Sequence, residues 1–404
     1  MTERDLIDYP MPPVAAVEPP AEWEELRQQC PVAHVRLPSG DQAALLTRYD
    51  DVRQVLADPR FGRTTQAEGA ARISAEGSSG VFDRKEPSPI PQSGDGHQRW
   101  RRMLTKWFTT KRMAALRPRI EAMADQLVDD MIASGQPADL KAAFGYPLPV
   151  WVICDLLGVP NDDREHFSHW SDTFLSLSRY KPAEIDAAQA EFTAYMTELV
   201  EAKRKQPGTD LLSDLITGAD AAGEKLGAEA LVATGKGLLI AGHETTTNMI
   251  GKMMAMLLAD RTRWEQLVAD PTLVRTAVEE ILRYDANPGF GLTRYLDEDV
   301  EVPSGGVLPA GTTAICNMAA ANRDESVFTD AAELDLTRSP NLHITFGAGP
   351  HSCVGQSLAR TELQVVLEVL LRRLPTLALA VPVGELPPVE GLLVGGLREV
   401  PVVW

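Results

Sequence analysis

The ten residues Phe346-Gly347-Ala348-Gly349-Pro350-His351-Ser352-Cys353-Val354-Gly355 constrain this chain more than any other stretch. They follow an extended-looking segment, Leu342 to Thr345, and run straight into helix-forming sequence from Gln356 to Leu371. Gly347, Gly349 and Pro350 argue against regular structure between them, because glycine opens backbone conformations closed to other residues and proline removes a donor. Cys353 then stands at the mouth of a helix, where the macrodipole and unbonded N–H groups favour a negative thiolate. Val354 is apolar and Gly355 leaves room above the sulfur. The pattern reads as an anchored, shielded thiolate, able to ligate a metal while something flat and bulky lies against it.

A lone buried cysteine is commonly just a small hydrophobe. A nucleotide-phosphate loop fails on spacing, because after Gly347 and Gly349 the third glycine position is Ser352. A structural zinc site needs about four nitrogen or sulfur ligands, and only His351 is near in sequence. What remains is a cofactor held by one thiolate, of which haem is the common case.

A second stretch bears on the chemistry. Ala228 to Leu258 is apolar almost throughout, the mark of a helix buried on most sides. Its middle reads Ala241-Gly242-His243-Glu244-Thr245-Thr246-Thr247. A mid-helix glycine costs roughly 1 kcal/mol relative to alanine, and a threonine hydroxyl can bond back one turn, so the helix is weakened here. Ala241, Glu244 and Thr245 fall at i, i+3 and i+4, on neighbouring faces. A zinc-protease helix is rejected, because the residue four after His243 is Thr247. A polar patch packed on another helix is the plain alternative.

On these residues the chain resembles the cytochrome P450 family. The signature Phe-x-x-Gly-x-x-x-Cys-x-Gly is met by Phe346, Gly349, Cys353 and Gly355, and the oxygen-activation motif Ala/Gly-Gly-x-Asp/Glu-Thr by Ala241 to Thr245. The resemblance covers nearly the whole chain. It implies a mainly α fold with small β-sheets (α+β) in a single large domain, residues 21–404, after an irregular arm over 1–20 that carries five prolines. It implies haem b, with Cys353 as the axial ligand of the iron and Phe346 and Gly349 shaping the loop. His97, Arg101, Arg294 and His351 are assigned to the haem propionates. Glu244 is assigned to proton relay and Thr245 to hydrogen bonding with the oxygen being activated. Ala241 is placed against the haem face at the border of the substrate, and Phe290 on the pocket wall, after the turn at Asn287-Pro288-Gly289. The loop from Phe61 to Gly96 is expected over the active site, and the helices Asp163 to Leu177 and Ala183 to Lys203 as its lid. Glu280 and Arg283 match the buried Glu-x-x-Arg pair that braces the cysteine loop. Its third member is normally an Arg within 328–336. Here Glu333 holds that place and Leu334 that of the usual Phe, leaving Arg323 or Arg338 as substitutes.

Composition narrows the partners. A net charge of −18 argues against nucleic acid. Against that acidic balance, His97 to Arg119 carries Arg99, Arg101, Arg102, Lys106, Lys111, Arg112, Arg117 and Arg119 with no Asp or Glu. A solvated basic face is one reading. The other is selection for a negative partner: the propionates on the inside and, outside, an acidic ferredoxin docking near Arg102, Lys106 and Arg112. The four cysteines have no motif spacing, and no disulfide framework is expected. No stretch approaches the roughly 18 apolar residues that span a bilayer, and no leader precedes an apolar core. A cytoplasmic, monomeric enzyme with no membrane anchor is expected.

Two strands around Pro38-Ser39-Gly40 are expected as a hairpin. Val300–Pro303 and Thr312–Asn317 read as one small sheet, and Leu377–Val381 as paired with Val400–Val403. The resulting reading is a haem-thiolate monooxygenase that inserts one atom of O2 into an apolar C–H bond or alkene, fed with electrons from NAD(P)H through a reductase and ferredoxin. By family analogy the substrates are secondary metabolites. A relative that couples aromatic rings shares every motif. A peroxide-driven peroxygenase usually lacks the acid–alcohol pair, and a non-catalytic haem sensor or carrier has no need of Glu244-Thr245.

Overall fold

The long apolar stretch forms one uninterrupted helix, Ala228–Ala259, buried along most of its length because nearly every face is apolar. Around it pack Pro147–Leu157, Phe167–Phe174, Pro182–Lys205, Val274–Tyr284 and Gln356–Arg373, and Gln356–Arg373 is covered in turn by Thr110–Ser134. The architecture is mainly helical with small sheets. The computed structural model describes residues 6–61, 67–73, 88–160, 163, 166–175, 179–218, 223, 225–285, 290–389 and 394–404. Most of the 61–96 loop, the turn at 287–289 and part of the 391–396 turn lie outside the described residues.

The basic run is divided between two helices. Gly94–Thr105 carries its first half. Thr110–Ser134 carries the second and continues through Pro118. Thr109 caps the second helix, its hydroxyl oxygen accepting from the Arg112 amide at 3.4 Å.

The largest sheet has five strands in the order Ile7–Asp8, Val32–Arg36, Gln42–Leu46, Thr312–Cys316, Leu292–Leu296. Alternation sorts its side chains. Ala44, Leu46, Ala314 and Cys316 enter one apolar cluster, while Ala43, Leu45 and Ile315 enter the cluster on the other face. Two expectations are corrected here. Thr312–Cys316 does not pair with the 300–303 segment, because the Ser304-Gly305-Gly306 turn closes Val300–Glu301 onto Val307–Leu308 as a separate hairpin. A strand as apolar as Thr312–Cys316 instead takes an inner position with both faces covered. The N-terminal arm is not irregular throughout: Ile7–Asp8 joins the sheet in parallel and Tyr9 and Met11 are buried. The C-terminal expectation holds, with Val402 opposite Leu379 and Val403 opposite Ala378.

Candidate active site

Hydrogen bonds close the cysteine loop on itself. The Gly347 amide donates to Ile344 O at 2.8 Å, Ser352 N to Gly349 O at 3.1 Å, and Cys353 N to Phe346 O at 2.7 Å. Gly349 is required twice over. Its φ is +69°, and a Cβ there would come within 2.5 Å of the Ala57 Cα. Phe346 packs into the main core under the Arg360 guanidinium, 4.4 Å from the ring centroid. Cys353 is exposed two residues before Gly355, the N-cap of Gln356–Arg373. Among the described residues no three His, Cys, Asp or Glu side chains converge as a metal site.

Beneath the loop lies the brace. Arg283 and Glu280 are both fully buried and pair twice at 2.8 Å. The third member is Arg338, whose Nε lies 3.0 Å from the Glu280 carboxylate. Arg323 is not part of the brace: it donates to Tyr284 O and stacks on the Tyr284 ring. Glu333, at the place where an Arg was sought, contributes only its backbone oxygen, which accepts from Arg283 at 2.8 Å. Asn341 and the Asp335 amide complete the Glu280 shell. Asn322 then ties this region to the loop, donating to Thr345 Oγ1 and accepting from the Ile344 amide, both at 2.8 Å. Beside it, burial alone would raise the Glu279 pKa, but His343 and Arg360 overcome it and hold it down at about 2.

The structure draws together most residues expected at the anionic edge of a cofactor. The rings of His97 and His351 lie 4.2 Å apart, and Arg101 donates to Ser352 O at 2.6 Å, with the Cys353 sulfur in electrostatic reach. Arg294 emerges from the strand Leu292–Leu296, and Leu292 reaches the loop beside Gly347. Arg294 is buried, its Nη1 donates only to the adjacent Thr293 O, and its Nε has no partner among the described residues. A buried guanidinium without a carboxylate is costly unless an anion meets it. These residues therefore fit a group carrying carboxylates, such as haem.

On the long helix Ala241 is exposed although most of the helix around it is buried, as a residue bordering a ligand space should be. The Thr245 hydroxyl donates to Ala241 O at 2.9 Å, the back-bond its position predicts. Glu244 is buried, and burial pushes its pKa up. The Asn248 amide donates to its Oε1 at 2.7 Å, and His243 Nε2 lies 3.7 Å from its Oε2. His243 is held neutral, its pKa driven down to about 4 by burial, with Nδ1 bonded to Leu239 O at 2.7 Å.

Phe290 is buried, its ring centroid 5.1 Å from that of Tyr9, and the Tyr9 hydroxyl donates to its carbonyl. The basic surface is also less open than its sequence: Lys106 pairs with Asp214 at 2.8 Å, Arg112 stacks on Trp107, Arg117 pairs with Glu121 and Glu368, and Arg119 pairs with Asp155. Arg102 and Lys111 are exposed.

Three participants escape sequence reading. Asn248 could have been found, one turn beyond Glu244. Lys141, which bonds Asn248 at 3.0 Å, carries no local signal. Glu362, on Gln356–Arg373, is fully buried, and that burial pushes its pKa well up, with Thr246 opposing the shift. A lone Glu among Leu358, Leu363, Val365 and Val366 was its only mark.

A cysteine loop with a basic and imidazole-rich edge beside it, and a buried glutamate next to a threonine hydroxyl on the long helix, fit a protein that activates oxygen at a cofactor. The comparisons give the family. A cytochrome P450 family model matches residues 26–380. The mycinamicin IV hydroxylase/epoxidase of Micromonospora griseorubida is 41% identical, and the nocardicin C N-oxygenase of Nocardia uniformis subsp. tsuyamanensis 40%, each over all of both chains. Among solved structures, a variant of the mixed-function P450 MycG in complex with mycinamicin V has a TM-score of 0.88 at 40% identity, covering 99% of this chain and 100% of that one. CYP105P1 in complex with filipin I has a TM-score of 0.91 at 36% identity, covering 99% of each. The chain belongs to the cytochrome P450 family and is a monooxygenase. Among the described residues no helix is long and apolar enough to cross a membrane.

Proposed function

We propose that this monooxygenase tailors a small, largely apolar secondary metabolite by hydroxylation or epoxidation, with electrons from NAD(P)H delivered by a ferredoxin and its reductase. The observation that carries the reading is the acid–alcohol pair, Glu244 buried and Thr245 beside the exposed Ala241, in the middle of a helix otherwise built for packing. Secondary-metabolite names recur among the similar proteins, mycinamicin above all, which favours a substrate of that class.

Haem, when bound, supplies the reduction and cleavage of O2, promoted by electron density from the thiolate. Cys353 would hold the iron, and Arg101, Arg294, His97 and His351 the propionates. Thr245 bonds to Ala241 O through its proton, so its oxygen can accept from a water and orient it. Glu244 is shielded from bulk water and biased by burial toward its protonated form, so it can release a proton inward and recover it. Arg102 and Lys111, rather than the paired Lys106, are the residues offered to an acidic electron donor.

The test is a spin-state titration of the haem-loaded protein against macrolides, polyketides and peptides, with turnover of each binder in a ferredoxin system and products identified by mass spectrometry. A binder converted to a product one oxygen atom heavier is expected. Binders that are consumed only by ring coupling, or only when peroxide is supplied, would overturn oxygen insertion from O2.

A further inference from the structure

The carboxyl of Glu244 is tied to a lysine that lies far from it in the sequence. Asn248 Nδ2 donates to Glu244 Oε1 at 2.7 Å and to the Glu244 carbonyl at 3.0 Å. Oδ1 of the same amide accepts from Lys141 Nζ at 3.0 Å, and that ammonium also donates to Leu397 O at 2.6 Å. A chain of hydrogen bonds therefore runs from the strand Gly396–Leu397, through the single π-helical turn Lys141–Gly145, to the centre of the long helix. Its direction is forced. Lysine has donors only, so it must meet the amide oxygen, and the amide nitrogen is then turned toward Glu244. The strand is shaped to allow it: a Cβ at Gly396 would lie 2.1 Å from Asn248 Oδ1.

We propose that Lys141 is a positioning residue for the reaction: acting through Asn248, it fixes the amide that holds the Glu244 carboxyl and sustains the ionised form that can take up the next proton. The inference rests on the reading of Glu244 as the group that handles protons. Lys141 opposes desolvation, which pushes Glu244 toward neutrality. The same burial lowers the pKa of Lys141 itself, while Glu244, Asp172 and Asp139 support its charge.

The other groups around Glu244 do not replace it. His243 is neutral and its Nδ1 is bonded to Leu239 O, with the Tyr146 ring edge-on to it. Asp172, from Phe167–Phe174, is raised by burial and by the Glu244 charge. It is met by Arg179 at 3.2 Å and by the Tyr180 hydroxyl, so that arginine is engaged with a second acid. Asp139 accepts from the Lys141 amide at 3.0 Å. Among the described residues Lys141 is the cation near Glu244 that is bonded into its hydrogen-bond chain.

The test is infrared difference spectroscopy of the haem-loaded protein across pH, following the protonated-carboxyl band that Glu244→Gln removes. Lys141→Gln keeps a donor for Asn248 and Leu397 but loses the charge, and should hold that band to a pH about one unit higher. Lys141→Arg should restore the parent midpoint. If Lys141→Gln does not fold, Asn248→Ser cuts the chain at its next link and should shift the midpoint the same way. An unchanged midpoint in whichever of these variants folds overturns the proposal. Failure of the underlying reading shows separately: Glu244→Gln would then leave the ratio of product to oxygen consumed unchanged, whatever Lys141 does to the titration.

Discussion

Around Glu280 both carboxylate oxygens are met by Arg283, and Arg338, Asn341 and the Asp335 amide add further bonds. Around Glu244, a buried carboxyl on the long helix, the described residues supply one amide donor, a neutral imidazole at 3.7 Å and a lysine one link away. Both are glutamates on helices that pack together, and the difference lies in what is asked of each. A carboxylate that must stay ionised and still is given fixed cations and backbone donors, so that losing any partner leaves an uncompensated buried charge. A carboxyl that must exchange a proton is given little enough that its two forms lie close in free energy. The thiolate side of the site is rigid by saturation, and the oxygen side is adjustable by economy of bonding.

The contrast can be broken most decisively at the brace. Glu280→Gln should cost about 3–5 kcal/mol of stability, seen as a large fall in the thermal midpoint and loss of haem, because Arg283 and Arg338 lose their counter-charge. A stability change within about 0.5 kcal/mol would show that the brace does not act as described. The oxygen side predicts the opposite pattern. Thr245→Ala removes one exposed-side hydroxyl and a local back-bond, so stability should move by under about 1 kcal/mol, while a greater share of electrons is diverted from product to peroxide. Unchanged coupling would remove Thr245 from its role. The smallest of these effects, on the ionisation of Glu244 alone, is the one expected at Lys141.

Much of this was legible in the residue order. The cysteine loop, the Glu280–Arg283 pair and the Ala241–Thr245 motif are local patterns, and each falls on the element its sequence implies. The rest was set by space instead of order. The arginine missing at position 333 is supplied from 338, one of the two substitutes the sequence offers, because the chain turns after Leu334 so that the Asp335 amide and the Arg338 side chain both reach Glu280. The contact of Phe290 with Tyr9 carries no local signal, since the two lie 281 residues apart. Thr312–Cys316 reads like any short apolar strand, and only its two buried faces decide which sheet takes it. Lys141 gave no sign, since its partners lie 107 and 256 residues away.

The claim on which the rest depends is that Cys353 supplies the thiolate to the haem iron. It is tested most directly by the spectrum of the ferrous carbon monoxide complex, in the parent protein and in Cys353→Ser. The account predicts the strongly red-shifted band of a thiolate-bound haem in the parent and its loss in the variant. A variant that binds haem and keeps that band would contradict it.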